Sequence, residues 1–167
     1  MRLFIAIRFP ENIKAALSDS MADLRRRGVS GNYSRVENLH LTLAFLGEVQ
    51  SSKRVCKVMA RVGAHPFTLT LGGCGSFGDI FWVGLERCPE LEDYVGRLRA
   101  GLRDDGIWFD QKAFRPHITM IRRAGHTENV NPMFRKESFQ VGKISLMKSE
   151  RINGKLVYTE IYSSKLS

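Results

Sequence analysis

The tetrad His40-Leu41-Thr42-Leu43 returns as His117-Ile118-Thr119-Met120, each time inside an apolar run rich in strand-forming residues, Leu39 to Leu46 and Phe114 to Ile121. Side chains two apart on a strand share a face. Each histidine should therefore point with its threonine toward one side, while Leu41 and Leu43, or Ile118 and Met120, point into a core. A chain that writes this pattern twice must build two strands whose polar faces carry the same pair of groups. An imidazole with an ordinary pKa near 6.5 can accept or donate a proton near neutrality, and a threonine hydroxyl can donate to an anionic oxygen. Two such faces brought together would surround one phosphate with two proton-transfer groups and two neutral donors, with no metal required.

The flanking sequence repeats as well. Arg2 to Phe9 alternates as a first strand stopped by Pro10, and apolar positions from Glu11 to Arg27 recur at helical spacing, ending in Arg25-Arg26-Arg27 as a solvated helix terminus. A loop from Gly28 to Asn38 leads to the first tetrad strand. A second helix is expected from a Ser51 cap through Val62, then a strand from Phe67 to Leu71 that ends at Gly72-Gly73. Gly72, Gly73, Gly75 and Gly78 read as a flexible turn. Another strand covers Ile80 to Leu85 and a third helix Pro89 to Arg103. Two late strands, Phe139 to Met147 and Leu156 to Ser163, meet around a turn at Asn153-Gly154. Strand, helix and tetrad strand thus follow in the same order twice, and Ile5 stands as far before His40 as Trp82 before His117. This implies a duplication with a junction near residues 72–79, inside one domain spanning residues 1–167, and a pseudo-two-fold axis that sets the tetrads face to face.

With 167 residues, 43% of them hydrophobic, the chain can bury a substantial core. Lys and Arg number 26 against 17 Asp and Glu, a net charge of +9 that favours a polyanionic partner. Cys56, Cys74 and Cys88 are too few and too scattered for a disulfide framework or a four-ligand zinc site, and are expected as small buried apolar residues. No stretch suits a signal peptide or a membrane span, so a cytoplasmic location with no membrane partner is expected. His65 and His126, in polar loops, are expected as solvent-exposed turn residues.

Together, Glu37-Asn38-Leu39-His40-Leu41-Thr42-Leu43 running into Phe45-Leu46-Gly47-Glu48, and Phe114-Arg115-Pro116-His117-Ile118-Thr119, resemble the two signature motifs of the two-histidine phosphoesterases, specifically the LigT-like RNA 2′,3′-cyclic phosphodiesterases once described as 2′-5′ RNA ligases. The resemblance implies a bilobal α+β fold, two pseudo-symmetric lobes each with an antiparallel sheet and outer helices, and a groove between them. It implies hydrolysis of RNA 2′,3′-cyclic phosphate ends to 2′-phosphomonoesters, with a reversible 2′-5′ RNA ligase activity beside it. His40 is similar to the family's proton donor and His117 to its acceptor, while Thr42 and Thr119 match the hydroxyls that hold phosphate oxygens. Arg115 and Arg122 are candidates to bind substrate, and Phe45 to stack on a base. The implied partner is an RNA or oligonucleotide with a 2′,3′-cyclic phosphate end, the expected cofactor is none, the metal none, and the expected state a monomer. A 2′-5′ oligoadenylate or small cyclic-nucleotide phosphodiesterase, and a non-catalytic module that only grips an RNA end, remain alternatives.

Overall fold

The computed structural model describes residues 1–125, 130–132 and 134–167; the expectation for His126 lies outside the described residues. The elements run β1 (Arg2–Arg8), α1 (Glu11–Arg26), β2 (Ser30–Tyr33), a short 3-10 turn (Val36–Asn38), β3 (His40–Glu48), α2 (Lys53–Arg61), β4 (Phe67–Phe77), β5 (Ile80–Leu85), α3 (Pro89–Asp104), β6 (Ile118–Gly125), β7 (Ser138–Val141), β8 (Lys143–Ile152) and β9 (Lys155–Lys165). Two antiparallel sheets result, one of four strands in the order β3-β1-β8-β9 and one of five in the order β2-β6-β5-β4-β7. This is the bilobal α+β architecture that the family resemblance implies.

Alternation explains the strands and helical spacing the helices. Along β1, Leu3, Ile5 and Ile7 are buried in the main core, while Phe4 and Ala6 face the other way and join Met147 in a small second cluster. On α1, Ile13, Ala16, Leu17, Met21 and Leu24 form one buried stripe. The helix ends against Gly28, whose φ of +81° is the left-handed conformation that a glycine adopts without a Cβ penalty.

The sheets are not built from consecutive halves of the chain. The strand after the first tetrad, β4, leaves β3 and pairs with β5, while β8, which follows the second tetrad, crosses back to pair with β1. The helices cross too. Asn12 on α1 donates from Nδ2 to the Ser138 carbonyl at 3.0 Å, beside β7 of the five-stranded sheet. Arg99 on α3 reaches β3 of the four-stranded one. Residues 72–79 fall at the end of β4 and the turn into β5.

Three expectations need correction. The segment 28–38 is not all loop, because β2 lies in it and hydrogen-bonds along β6. Its sequence Ser-Gly-Asn-Tyr has no apolar alternation to show a strand, and its pairing comes from the edge that β6 leaves open. The glycine-rich stretch is not a flexible turn: Gly72, Gly73 and Gly75 are part of β4. A Cβ on Gly75 would stand 2.5 Å from the Trp82 ring, so the missing side chain makes room for the indole across the ladder. The run from Phe139 to Met147 is two strands broken at Gly142, with β7 on β4 and β8 on β1. Of the three free cysteines Cys88 alone is buried; Cys56 and Cys74 are half-buried at the core margin.

Candidate active site

Both tetrads open onto one cleft of about 1160 Å³ between the sheets. His40, Thr42, His117 and Thr119 all line it, while Leu41, Leu43, Ile118 and Met120 are buried on the opposite faces, as strand alternation requires.

Each imidazole is held by its own backbone in the same way. His40 Nδ1 lies 2.7 Å from the Asn38 carbonyl oxygen, and His117 Nδ1 lies 2.7 Å from the Arg115 carbonyl oxygen. A carbonyl only accepts, so Nδ1 carries the hydrogen in both rings, and Nε2 is left to exchange protons. His40 Nε2 is 2.9 Å from Thr42 Oγ1, which donates to it when the ring is neutral. The ring faces are packed differently. His40 sits against Phe4, with centroids 4.8 Å apart, and takes the edge of Tyr158 at 5.2 Å. His117 is flanked by Phe77 at 5.1 Å and Trp82 at 6.4 Å.

Burial pushes the His40 pKa below the ordinary imidazole value, and the positive charges of Arg122 and His117 push it the same way, against the Asn38 carbonyl that favours the charged ring. In the unliganded cleft His40 is therefore predominantly neutral at pH 7.

A β-bulge in each tetrad strand fixes what comes next on the cleft side. Ala6 pairs with Thr42 but Ile5 with Ala44, so Leu43 is an extra residue in β3, the first of two, with Leu46 the second. Trp82 pairs with Thr119 but Phe81 with Ile121, so Met120 is the extra residue in β6. The two residues after each threonine, Leu43 and Ala44 or Met120 and Ile121, consequently both enter the core. The fifth residue after each histidine then returns to the cleft, Phe45 in one lobe and Arg122 in the other, and both line it. The bulges also correct the spacing seen in the sequence, since the partner of Trp82 in the other lobe is Ala6 rather than Ile5.

Arg115 lines the cleft as well, its side chain exposed and its carbonyl committed to His117. His65 is exposed and away from the cleft, with Nδ1 2.9 Å from the Ser167 carbonyl oxygen. Arg25 of the triple-arginine run lies over the Tyr33 ring and Arg27 pairs with Asp23, so the run belongs to the α1 terminus. Among the described residues no cluster of three or more His, Cys, Asp or Glu could hold a metal ion, and no helix is long and apolar enough to cross a membrane.

Sequence reading misses several residues of the cleft. Tyr158 and Phe4, on β9 and β1, pack the His40 ring, and burial raises the Tyr158 pKa against the lowering charges of Arg122, Arg2 and Arg151. Arg99 is the other. Its Nε and Nη2 donate to the Leu43 carbonyl at 3.1 and 3.0 Å and its Nη1 to the Lys112 carbonyl at 2.8 Å, tying the bulge of β3 to the loop that delivers His117. Helical spacing presents Arg99 as one more surface cation of α3, and only the crossing of that helix to β3 gives it this position.

The pattern of the 2′-5′ RNA ligase superfamily matches residues 9–153. An RNA 2′,3′-cyclic phosphodiesterase of Escherichia coli is 31% identical over 165 residues, which cover 96% of this chain and 93% of that protein. An RNA 2′,3′-cyclic phosphodiesterase of Thermotoga maritima is 37% identical over 134 residues, covering 73% of this chain and 70% of the relative. The crystal structure of E. coli LigT in its apo form superposes with a TM-score of 0.89 at 30% identity, covering 99% of this chain and 97% of that one.

Proposed function

The chain belongs to the 2′-5′ RNA ligase superfamily, and from that premise we propose that it is an RNA 2′,3′-cyclic phosphodiesterase that opens the cyclic phosphate by paired acid and base catalysis at His40 and His117. The observation that carries this reading is the matched pair of imidazoles on one cleft, each with Nδ1 committed to the carbonyl two residues earlier and Nε2 left for proton transfer.

In-line opening of the ring needs a base on the attacking water and an acid on the departing ribose oxygen, on opposite sides of phosphorus. His117 Nε2 takes the proton of the water. The oxygen of that water bonds to phosphorus, the bond from phosphorus to the ribose 3′-oxygen breaks, and His40 Nε2 gives its proton to that oxygen, leaving a 2′-phosphomonoester. His40 must be charged to act as the acid, and its low pKa in the free protein opposes this. The anionic phosphate reverses the balance, because a negative charge beside the ring favours the imidazolium. With Nε2 protonated, its hydrogen turns to the ribose 3′-oxygen, so Thr42, which donates to Nε2 in the free protein, is released to donate to a phosphate oxygen. Thr119, which lines the cleft from the other lobe, donates to a second phosphate oxygen.

Charge grows on the non-bridging oxygens in the transition state, where Arg122 and Arg115 offer fixed positive charge. The bulges then divide the labour. The position after one threonine places Arg122 by the phosphate, and the equivalent position in the other lobe places Phe45 where the terminal base can stack. With a 5′-hydroxyl in place of the water, the same step joins two ends: His117 takes the hydroxyl proton, the 5′-oxygen bonds to phosphorus, the bond to the 3′-oxygen breaks with a proton from His40, and a 2′-5′ linkage results. The acting form is a monomer and works in the cytoplasm.

The test is to incubate the protein with an oligonucleotide ending in a 2′,3′-cyclic phosphate in the presence of a chelator and to identify the product by phosphorus NMR. A 2′-phosphomonoester formed at undiminished rate supports the proposal. A 3′-phosphomonoester, or no turnover, refutes it.

A further inference from the structure

Trp108 is 61% exposed, although its neighbour Phe109 is buried to 2%. The indole is held in this position rather than hanging free. Ile107 N–H donates to the Leu102 carbonyl at 2.9 Å on one side, and Asp110 N–H donates to the Phe45 carbonyl at 2.9 Å on the other. Its ring is set on β3. Beyond the cleft-lining His40, Thr42 and Phe45 of that strand, a second bulge at Leu46 brings Gly47, with φ of +65°, opposite Leu3 of β1. The point where a Gly47 side chain would begin lies 3.4 and 3.9 Å from two Trp108 ring carbons and 3.8 Å from a Phe45 ring carbon. The loop thus sets an exposed aromatic ring close to Phe45, at the strand end just past the cleft-lining residues.

Two cations lie at this end of the cleft. The Arg2 guanidinium lies 4.9 Å from the Phe45 ring centroid, and Lys112, four residues beyond Trp108, is exposed at the cleft. Two carboxylates stand among them, Asp110 at 4.0 Å from Lys112 Nζ and Glu48, opposite Arg2 in the ladder and 3.3 Å from the N-terminal amine. An exposed indole close to Phe45, with Arg2 and Lys112 lining the adjoining cleft, combines the two elements of single-strand nucleic-acid binding, an aromatic stacking face and positive charge for the backbone.

We propose that Trp108 is the stacking platform for the nucleobase immediately upstream of the reacting nucleotide, which makes the rim between Gly47 and Lys112 a binding subsite for a second nucleotide of single-stranded RNA. Arg2 and Lys112 face the phosphate that joins the two. This inference rests on the RNA-end reading above. It predicts that the enzyme prefers a strand to a mononucleotide, and that the preference resides in one side chain.

The experiment compares steady-state kinetics of a nucleoside 2′,3′-cyclic phosphate with those of a dinucleotide ending in the same group, for the wild type, Trp108→Ala and Trp108→Phe. The expected result in Trp108→Ala is a rise of about tenfold in KM for the dinucleotide, the range of losing one base stack, with KM for the mononucleotide moving less than about twofold and kcat for both retained. Trp108→Phe recovers most of the loss. A dinucleotide-to-mononucleotide KM ratio unchanged in Trp108→Ala overturns the subsite while leaving the phosphodiesterase reading intact. Absence of turnover with both substrates in the wild type overturns the phosphodiesterase reading itself. Calorimetric titration with the dinucleotide 2′-phosphate then decides the subsite separately: about tenfold weaker binding to Trp108→Ala supports it, and equal binding refutes it.

Discussion

At the scale of single residues, the two histidines share one hydrogen-bonding design and differ in their packing. The carbonyls of Asn38 and Arg115 fix both tautomers, while Phe4 and Tyr158 enclose His40. The pH dependence follows. To act as the proposed acid His40 has to be protonated, and its pKa is lowered in the free protein, so at neutral pH only a minor fraction of the free enzyme carries the proton that it needs. Bound phosphate raises that pKa, so the alkaline limb of kcat should lie higher than that of kcat/KM. Profiles in the opposite order would contradict this account of His40. The same shift acts on stability. A histidine with a lowered folded pKa favours folding fully above about 6.5 and loses that contribution as pH falls through the folded value. Urea midpoints measured from pH 7.5 down to pH 5 should fall, and should fall less steeply in His40→Gln.

At the scale of elements, the tetrads were readable because alternation is a strong signal, and β1, α1, α3 and β5 were readable for the same reason. The bulges were not. An extra residue at Leu43 or Met120 leaves the composition of a strand unchanged, yet it decides that Phe45 and Arg122 face the cleft. The glycines of β4 were misleading because glycine signals a turn by default, whereas here Gly75 makes room for Trp82, which in turn flanks His117. Gly75→Ala should destabilise the protein by about 1–3 kcal/mol, the cost of overpacking a filled site, and should lower kcat by displacing the indole beside His117. A variant of wild-type stability and activity, measured by urea unfolding and initial rates, would show that β4 has slack that the structure does not predict.

For the molecule as a whole, the halves of the chain exchange parts at every level. Strand β4 joins β5, and β8 joins β1. The segment before the first tetrad lays β2 on the outer edge of β6, and the segment before the second places Asp110 and Trp108 against the outer edge of β3. This exchange was invisible in the sequence, where the repeated order of elements suggested lobes formed by each half in turn. Local patterns specify strands and helices but not which distant strand will be the partner. Its consequence is that neither lobe can fold around its own sheet alone. Equilibrium unfolding in urea should therefore be one transition, coincident by tryptophan fluorescence and far-ultraviolet circular dichroism. Two separated transitions would indicate independent lobes.

That interlocked frame exists, on this account, to set two imidazoles from distant segments on one phosphorus atom. The most direct test is turnover of an oligonucleotide with a 2′,3′-cyclic phosphate end by His40→Ala and by His117→Ala, each checked for an unchanged circular dichroism spectrum. The account predicts a loss of at least about a hundredfold in each, the scale of a general acid or base; a folded variant of either kind with near wild-type turnover would contradict it.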